Sequence, residues 1–434
     1  MEQPANTVLV RAIRRWDLIA LTINAIIGGG IFGLPAQTFR LIGNYSLFAF
    51  LACALVVTLI IFCFAEVGSR FSVTGGPYIY AQKAFGSQIG FTVGWLVYLA
   101  RLTSFAAICN LLVGYASFFY PPAETGLWRI GIIVVVVSTI ALVNIIGVRG
   151  ATLMGNFFTI GKLIALLLFI AVGFFFINPQ NFNFQQLPGY GDFSKSVLLL
   201  VYAFTGFEMA VIPSGEIENP RRDIPVAVLS SIVVVALIYV SIQFICIGTL
   251  PELATSSRPL ADASLTFFGT AGASIISLGA LISITGNLNV TVLSGSRLPF
   301  AMATHKELPQ IFANTHSVFH TPHISIIVTS LIMLVLTLSG TFVYAVTISA
   351  IARLLAYGTT CAAMLVFRRR EQKNPALFKA PFGVLMSIAS LILAGWLLSN
   401  SSLGEAVSAS LAIIIGLIIY YGYRIIKRRR VNDE

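Results

Sequence analysis

The stretch Ile26-Ile27-Gly28-Gly29-Gly30-Ile31-Phe32 places three glycines in the middle of a long apolar segment near the N-terminus. A second apolar segment is interrupted in the same way at Thr205-Gly206. A membrane helix keeps its backbone hydrogen bonds within itself, so an unwound stretch persists only where protein or a water-filled cavity satisfies the freed groups. Two interrupted spans at equivalent places in two halves of a chain are typical of inverted repeats with a substrate site between them, as in secondary transporters.

The composition indicates a protein of the lipid bilayer. Of the 434 residues, 57% are hydrophobic and 10% are charged, and the mean hydropathy is +0.91, values that exclude an ordinary soluble domain. A spanning helix needs about 20 apolar residues. Candidate spans lie near 16–40, 45–69, 86–120, 128–148, 152–177, 194–215, 224–250, 270–298, 323–341, 342–367, 382–400 and 404–426. These twelve spans and their connections use up the chain, so we expect a single membrane unit over residues 1–434.

The net charge of +11 is distributed unevenly between the two sides of the predicted membrane. If the N-terminus is cytoplasmic, the outer segments hold only Arg40, Arg129, Lys195 and Arg258 among the basic residues outside the spans. The inner segments hold Arg11, Arg14, Arg15, Arg70, Lys83, Arg149, Arg221, Arg222, Arg297, Lys306, Arg368, Arg369, Arg370, Lys373, Lys379, Arg424, Lys427, Arg428, Arg429 and Arg430. The positive-inside rule therefore predicts that both termini are cytoplasmic.

Two motif matches are weaker than they look. Gly28-x-Gly30-x-x-Gly33 fits the dinucleotide fingerprint by letter, but it lies inside an apolar span instead of between a strand and a soluble helix. The four histidines, of which His316 and His320 have the spacing of helical metal ligands, fall in one connection interrupted by Pro322. The other two are His305 and His323. Since hydrolase motifs are also missing from the sequence, we expect no enzyme, cofactor, metal or nucleic-acid partner.

Four charged residues lie deep within the apolar spans, away from the span ends: Arg101, Lys162, Glu208 and Arg353. Ionisable groups inside a membrane are costly and are therefore functional candidates. Glu208 directly follows the second glycine interruption, where its carboxylate could couple transport to protons, lock a gate by pairing, or merely hold the broken helix together. Arg353 is expected to belong to an ion pair or a gate.

A resemblance to a known family rests on motifs spread along the chain. They are Gly28-Gly29-Gly30-Ile31-Phe32; Glu66-Val67-Gly68 with Thr74-Gly75-Gly76-Pro77-Tyr78-Ile79-Tyr80; Phe204-x-Gly206-Phe207-Glu208 with Glu216-x-x-Asn219-Pro220-x-x-Asp223-Ile224-Pro225; and Ser296-Arg297 with Leu308-Pro309. Together they resemble the amino acid, polyamine and organocation transporter superfamily, and in particular its bacterial amino acid permeases. The first motif is similar to the family's Gly-Ser-Gly-Ile-Phe signature, with glycine in place of serine.

The resemblance implies an all-α membrane fold of twelve helices, with discontinuous helices one and six. Its first repeat would cover about 16–177, its second about 194–367, and two extra helices about 382–426. On this basis the N–H groups of Gly29, Gly30 and Ile31, next to Gly28, bind a substrate carboxylate at a helix N-terminus. Carbonyls left free around Ala25, Ile26, Phe204 and Ile27 would accept from the substrate ammonium. Phe32, Phe204 and Phe207, near Thr205 and Gly206, would form apolar walls and a gate, or else ordinary packing.

The resemblance also assigns roles to Lys162 and Arg101. In related sodium-independent permeases a lysine at the position of Lys162 stands where sodium-coupled relatives bind a cation, so it would bridge spans one and eight and replace sodium. A desolvated lysine can also exchange a proton. Arg101 would oppose cationic substrates if it faced the cavity, and would be structural or a gate if it paired with Glu208.

The sequence thus predicts a sodium-independent transporter of amino acids in the inner membrane, working by alternating access and coupled to protons or to exchange. A neutral side chain is the preferred substrate. The alternatives are an acidic amino acid antiporter, which Arg101 would favour, and a channel or a transporter-like nutrient sensor. The oligomeric state is left open.

Overall fold

The computed structural model describes residues 13–72, 75–146, 149–184, 187–212, 214–370 and 375–433, with only the backbone described for 149–160 and 426–433. Several residues used above lie outside this description, namely Arg11, Thr74 and Lys373 entirely, and Arg149, Lys427, Arg428, Arg429 and Arg430 in their side chains.

The described residues form an all-helical protein, in which an isolated bridge between Ile13 and Ile217 is the only β pairing. The helices are α1 (Arg15–Ile26), α2 (Gly30–Ile42), α3 (Ser46–Gly68), α4 (Pro77–Phe85), α5 (Ser87–Ala116), α6 (Gly126–Ile146), α7 (Arg149–Gly173), α8 (Tyr190–Ala203), α9 (Pro220–Thr249), α10 (Pro259–Thr304), α11 (His323–Ser339), α12 (Phe342–Arg369), α13 (Gly383–Ser399) and α14 (Leu403–Asp433). Within the described ranges, eight segments are long and apolar enough to cross a membrane, and three shorter apolar helices accompany them.

Both glycine interruptions end a helix. α1 stops at Ile26 and α2 begins at Gly30, so the first span consists of two helices joined by a short unwound stretch. α8 stops at Ala203, and the chain continues beyond Gly206 in two short 3₁₀ turns, Phe207–Ala210 and Ser214–Glu216. The second half of span six is therefore a series of tight turns and not the regular helix that the predicted range 194–215 suggested.

Two other elements differ from their predicted ranges. α10 begins at Pro259, eleven residues before the predicted start at 270, and it is kinked at Gly269, where φ is +61°. The predicted span, 270–298, therefore covers only the part of α10 that follows the kink. α4 is a short helix in a connection that the sequence analysis left without structure.

The two interrupted spans lie at the centre of the helix packing. α2 packs against α8, while α1 packs against α9 and against the 3₁₀ turn that follows Gly206. α5 packs against both α10 and α12, and α3 packs against α8 and α9. In contrast, α14 leaves Leu411, Ile414 and Ile418 about half exposed or more, which is the expected arrangement for a helix that faces lipid.

Ion pairs tie the chain together where α1 and α9 begin. The Nε atom of Arg15 lies 2.8 Å from Oδ1 of Asp223, and Arg14 pairs with Glu218 at 3.5 Å. The bridge between Ile13 and Ile217 uses two backbone hydrogen bonds of 3.0 Å. The start of α1 is therefore fastened to the segment between the 3₁₀ turns and α9.

Glu66 of the second motif anchors a neighbouring connection. Its fully buried carboxylate accepts hydrogen bonds from Arg368 Nε at 2.7 Å, from the Ala380 backbone N–H at 2.9 Å and from Arg70 at 3.4 Å. Arg221 at the start of α9 donates to the carbonyl of Ser69 at 2.8 Å. A buried carboxylate is tolerated only when paired in this way, so the motif glutamate holds the ends of α3 and α12 together.

Candidate functional site

The unwound stretch of the second interrupted span touches the end of α1 at Gly206. Its φ of +114° is one that side-chain-bearing residues rarely adopt, and a Cβ there would lie 2.3 Å from the carbonyl oxygen of Ala25. Glycine is therefore required twice, once for the backbone conformation and once for the close approach of α1. The hydroxyl of Thr205, next to it, donates to the carbonyl of Tyr202 at 2.7 Å and so closes the end of α8.

The start of α2 lies against α8 on one side and against α5 on the other. A Cβ at Gly30 would lie 3.0 Å from Cα of Ala203, and one at Gly29 would lie 3.2 Å from the side chain of Ile108. Gly28 faces the side-chain amide of Asn287 on α10. The N–H groups of Gly29, Gly30 and Ile31 come before the first hydrogen bond of α2, which the Phe32 N–H donates to the Gly29 carbonyl at 3.1 Å. They are therefore the donors that a helix N-terminus offers to an anion.

The carbonyl groups at the end of α1 are more occupied than the sequence suggested. The Ile26 carbonyl accepts from the Tyr239 hydroxyl at 3.0 Å and from the Gly28 N–H at 2.7 Å. The Ile27 carbonyl accepts from Nζ of Lys162 at 2.5 Å. In this conformation, side chains from α9 and α7 therefore already donate to the carbonyls of Ile26 and Ile27, which were predicted to receive the substrate ammonium.

Lys162 joins α7 to the unwound part of the first span. Besides the Ile27 carbonyl, its Nζ atom reaches the Asn24 carbonyl at 2.8 Å, and the residue is only 5% exposed. Two carbonyls from the end of one helix thus hold a buried ammonium. This arrangement places the amino group of Lys162 at the carbonyl end of α1, where the helix dipole stabilises its protonated form.

The three aromatic residues assigned to walls and gate are fully buried. The ring of Phe32 packs edge-on to Tyr115 at 5.9 Å. Phe204 contacts Tyr239 at 5.1 Å, and Phe207 contacts Tyr357 at 5.0 Å. In this conformation each of the three rings packs against a tyrosine of a neighbouring helix.

Glu208 lies at the centre of a buried ionic cluster. Arg353 Nη1 lies 3.2 Å from its Oε1 atom, and Arg101 Nη2 lies 3.5 Å from the same oxygen. The Tyr357 hydroxyl and the Gly206 N–H donate to Oε2 at 2.7 and 2.8 Å. The carboxylate of the broken span is thus connected to α5 and α12, and the structure brings together three of the four charged residues found within the spans.

Several site residues were missed by the sequence analysis. Tyr357 could have been found, because it lies one helical turn after Arg353 and therefore on the same face of α12. Tyr239, Ser104 and Asn287 carried no signal in the sequence, since a single polar side chain in an apolar span does not reveal which helix it faces.

The tyrosine that joins the two broken spans gives a prediction about stability. The Tyr239 hydroxyl donates to the Ile26 carbonyl and lies 3.2 Å from the Ala203 carbonyl. Tyr239→Phe removes this hydrogen bond, although the Ile26 carbonyl keeps the Gly28 N–H, and should reduce the free energy of unfolding by about 0.5–1.5 kcal/mol. Thermal denaturation in detergent measures this loss. Tyr344→Phe, which removes an exposed hydroxyl, is the control, and an equal effect of both variants would contradict the prediction.

The histidines form no metal centre among the described residues, where no group of three or more potential ligands occurs. Instead, Nδ1 of His316 accepts from the N–H groups of Val318 and Phe319 at 3.2 and 3.3 Å. This ring closes a turn in the connection between α10 and α11.

Comparison with known proteins gives consistent results over the whole chain. A family model described as "Amino acid permease" matches residues 13–428. A methylthioribose transporter of Bacillus subtilis (strain 168) is 27% identical over 97% of this chain and 95% of its own. The serine/threonine exchanger SteT of the same organism is 28% identical over 95% and 96% of the two chains.

The branched-chain amino acid permease BcaP of Bacillus subtilis (strain 168) is 25% identical over 96% of this chain and 93% of its own. These relatives are transporters and not enzymes, and they confirm the resemblance to the amino acid, polyamine and organocation superfamily that the motifs indicated. The chain therefore belongs to the amino acid permease family of multi-pass membrane transporters.

Proposed function

We propose that this protein carries amino acids across the bacterial cytoplasmic membrane by alternating access, with the substrate bound where the two interrupted spans cross. The observation that supports this most is the contact between Gly206 and the end of α1, because it brings the two interrupted spans together where their helices end and where helix ends present backbone groups to a ligand. The substrate carboxylate would bind the N–H groups of Gly29, Gly30 and Ile31. Its ammonium would be received by carbonyls near Ala25 and Phe204.

The architecture in this proposal is a five-plus-five inverted repeat. The first repeat would cover about 16–177, the second about 194–367, and α13 and α14 would form two further spans. With α1 and α2 counted as one span, α8 and its 3₁₀ continuation as another, and the nine-residue α4 left out as too short to cross a membrane, the helices would supply twelve spans. Both termini would then be cytoplasmic, as the charge pattern indicates. The bundle that contains both interrupted spans would rock against the remaining helices, and Phe32, Phe204 and Phe207 would open and close the path.

A neutral amino acid is the proposed substrate, and an acidic amino acid is a second candidate. The ionic cluster favours the second, because Arg101 and Arg353 face a single carboxylate, Glu208. A substrate with an additional carboxylate would neutralise the remaining positive charge. A thermal-shift screen of the purified protein against the twenty amino acids and common polyamines distinguishes them, since a ligand of the native state raises the apparent stability.

Each outcome of that screen supports a different function. Stabilisation by a few neutral amino acids supports the main proposal, and stabilisation by glutamate or aspartate supports the second candidate. No stabilisation by any amino acid would contradict the proposal and favour a channel. A channel would further show ionic currents far above the turnover of a carrier.

The position of Lys162 supports the proposal that transport does not depend on sodium. Its ammonium already occupies the carbonyls of Asn24 and Ile27, so we expect uptake into proteoliposomes to proceed equally with sodium or choline outside. Lys162→Met should lower uptake by about tenfold or more, because the two buried carbonyls lose a charged donor worth roughly 1.5–3 kcal/mol. A requirement for a sodium gradient in the unmodified protein would contradict this role.

We propose that Glu208 and Lys162 couple transport to protons or to exchange. Protonation of Glu208 would weaken its attraction to Arg101 and Arg353 and so release α5 and α12 from the broken span. Deprotonation of Lys162 would likewise release the end of α1. Uptake driven by an imposed pH gradient indicates proton coupling, whereas uptake that depends only on amino acid inside the vesicles indicates exchange.

A further inference from the structure

The two arginines beside Glu208 are not held equally. Arg353 donates to Glu208 Oε1 at 3.2 Å and to the Ser104 hydroxyl at 3.0 Å. Ser104 in turn lies 2.9 Å from the hydroxyl of Ser349. The Nε atom of Arg353 has no hydrogen-bond partner among the described residues, but two of its nitrogen atoms have oxygen acceptors. Arg353 is therefore part of a polar network that joins α5, α12 and the 3₁₀ turn Phe207–Ala210 after α8.

Arg101 has poorer partners. Its Nη2 atom lies 3.5 Å from Glu208 Oε1, at the outer limit for a hydrogen bond, and 3.1 Å from the sulfur of Met209. A thioether is a weak acceptor. The Glu208 carboxylate, meanwhile, already accepts from Arg353, Tyr357 and the Gly206 N–H. The carboxylate is satisfied without Arg101, and Arg101 carries the surplus positive charge of the cluster.

This surplus charge is buried close to the crossing. Arg101 is 8% exposed, and it lies seven residues before Ile108, whose side chain contacts Gly29. Seven residues of helix correspond to about 10 Å. Glu208 is only two residues from Gly206. A cationic substrate side chain would add a second positive charge to that of the ammonium, about 10 Å from Arg101 and with little screening by water. The repulsion from Arg101 would weaken binding of such a substrate by about tenfold or more.

We propose that Arg101 is the residue that excludes substrates with cationic side chains, whereas Arg353 holds Glu208 in place. This inference rests on the proposed binding of amino acids at the crossing. It separates two arginines that look equivalent in the sequence, and it applies whether the preferred substrate is neutral or acidic.

The test compares Arg101→Gln with Arg101→Lys, which keeps the charge. Binding of lysine and arginine, relative to the best ligand of the unmodified protein, is measured by competition in proteoliposomes and by thermal shift. We expect Arg101→Gln to gain at least about tenfold in relative affinity for lysine, and Arg101→Lys to gain nothing. A role in folding alone would not change which amino acids compete.

A second measurement distinguishes the roles of Arg101 and Arg353. Arg353→Gln should lower the melting temperature more than Arg101→Gln does, because it removes donors from both Glu208 and Ser104. The inference is overturned if the unmodified protein itself takes up lysine or arginine, or if Arg101→Gln still binds the usual ligand but gains no lysine binding. If the unmodified protein binds no amino acid at all, the proposed function fails, and this inference fails with it.

Discussion

Replacing Gly206 with alanine is expected to abolish transport and to destabilise the folded protein by about 3 kcal/mol or more. Two costs add. The backbone has a φ of +114° that alanine adopts only under strain, and the new Cβ would lie 2.3 Å from the carbonyl oxygen and 2.7 Å from the carbonyl carbon of Ala25. Because both of these contacts are with backbone atoms of the end of α1, no side-chain rotation can relieve them.

A matched control separates the two costs. Gly86 also has a positive φ, +95°, but an added Cβ would meet no heavy atom within 4 Å. Gly86→Ala should therefore carry only the conformational cost of its φ of +95° and ψ of 175°, about 1–3 kcal/mol, and should retain transport. Chemical or thermal denaturation in detergent, together with uptake in proteoliposomes, measures both effects. Equal behaviour of the two variants would show that the contact between the broken spans is unimportant.

The second large effect is expected for Glu208→Gln. The substitution keeps the shape of the side chain but leaves Arg101 and Arg353 buried without an anionic partner, and breaking a buried pair in this way costs about 3–5 kcal/mol. We expect a clear fall in the melting temperature and loss of uptake. The exposed residue Glu252 supplies the control, since Glu252→Gln should change stability by less than about 0.5 kcal/mol.

A double variant tests whether charge imbalance is the cause. Adding Arg101→Gln to Glu208→Gln removes one of the two unpaired charges, so the combined variant should be more stable than Glu208→Gln alone. Non-additivity of this kind is expected for residues in one network. If the two substitutions destabilised the protein additively, the ionic cluster would not be the reason for the loss.

The interruptions of the helices could be predicted from the sequence, whereas their partners could not. Gly28-Gly29-Gly30 and Gly206 are local signals, because glycine is both a weak helix former and the residue that tolerates close approach. The helices end beside these glycines, at Ile26 and Ala203. By contrast, the occupation of the Ile26 carbonyl by Tyr239 joins residues 213 positions apart, and nothing local to either residue indicates it.

The ionic cluster shows the same limit. That Arg101, Glu208 and Arg353 are functional candidates follows from the cost of charge in a membrane, and pairing of Arg101 with Glu208 was one of two alternatives. The sequence could not decide between them, since the outcome depends on how α5 packs against the broken span. Nor could it show that Arg353 is the better-held partner, because that difference lies in the Ser104 hydroxyl and in distances of a few tenths of an ångström.

The central claim, that an amino acid is carried through the crossing of the two broken spans, is tested most directly by counterflow. Purified protein is placed in liposomes loaded with an unlabelled amino acid, and entry of the labelled form is followed without any ion gradient. We predict saturable entry for at least one amino acid with the unmodified protein and with Gly86→Ala, and none with Gly206→Ala. Absence of counterflow for all twenty amino acids, or equal counterflow with Gly206→Ala, would contradict the account.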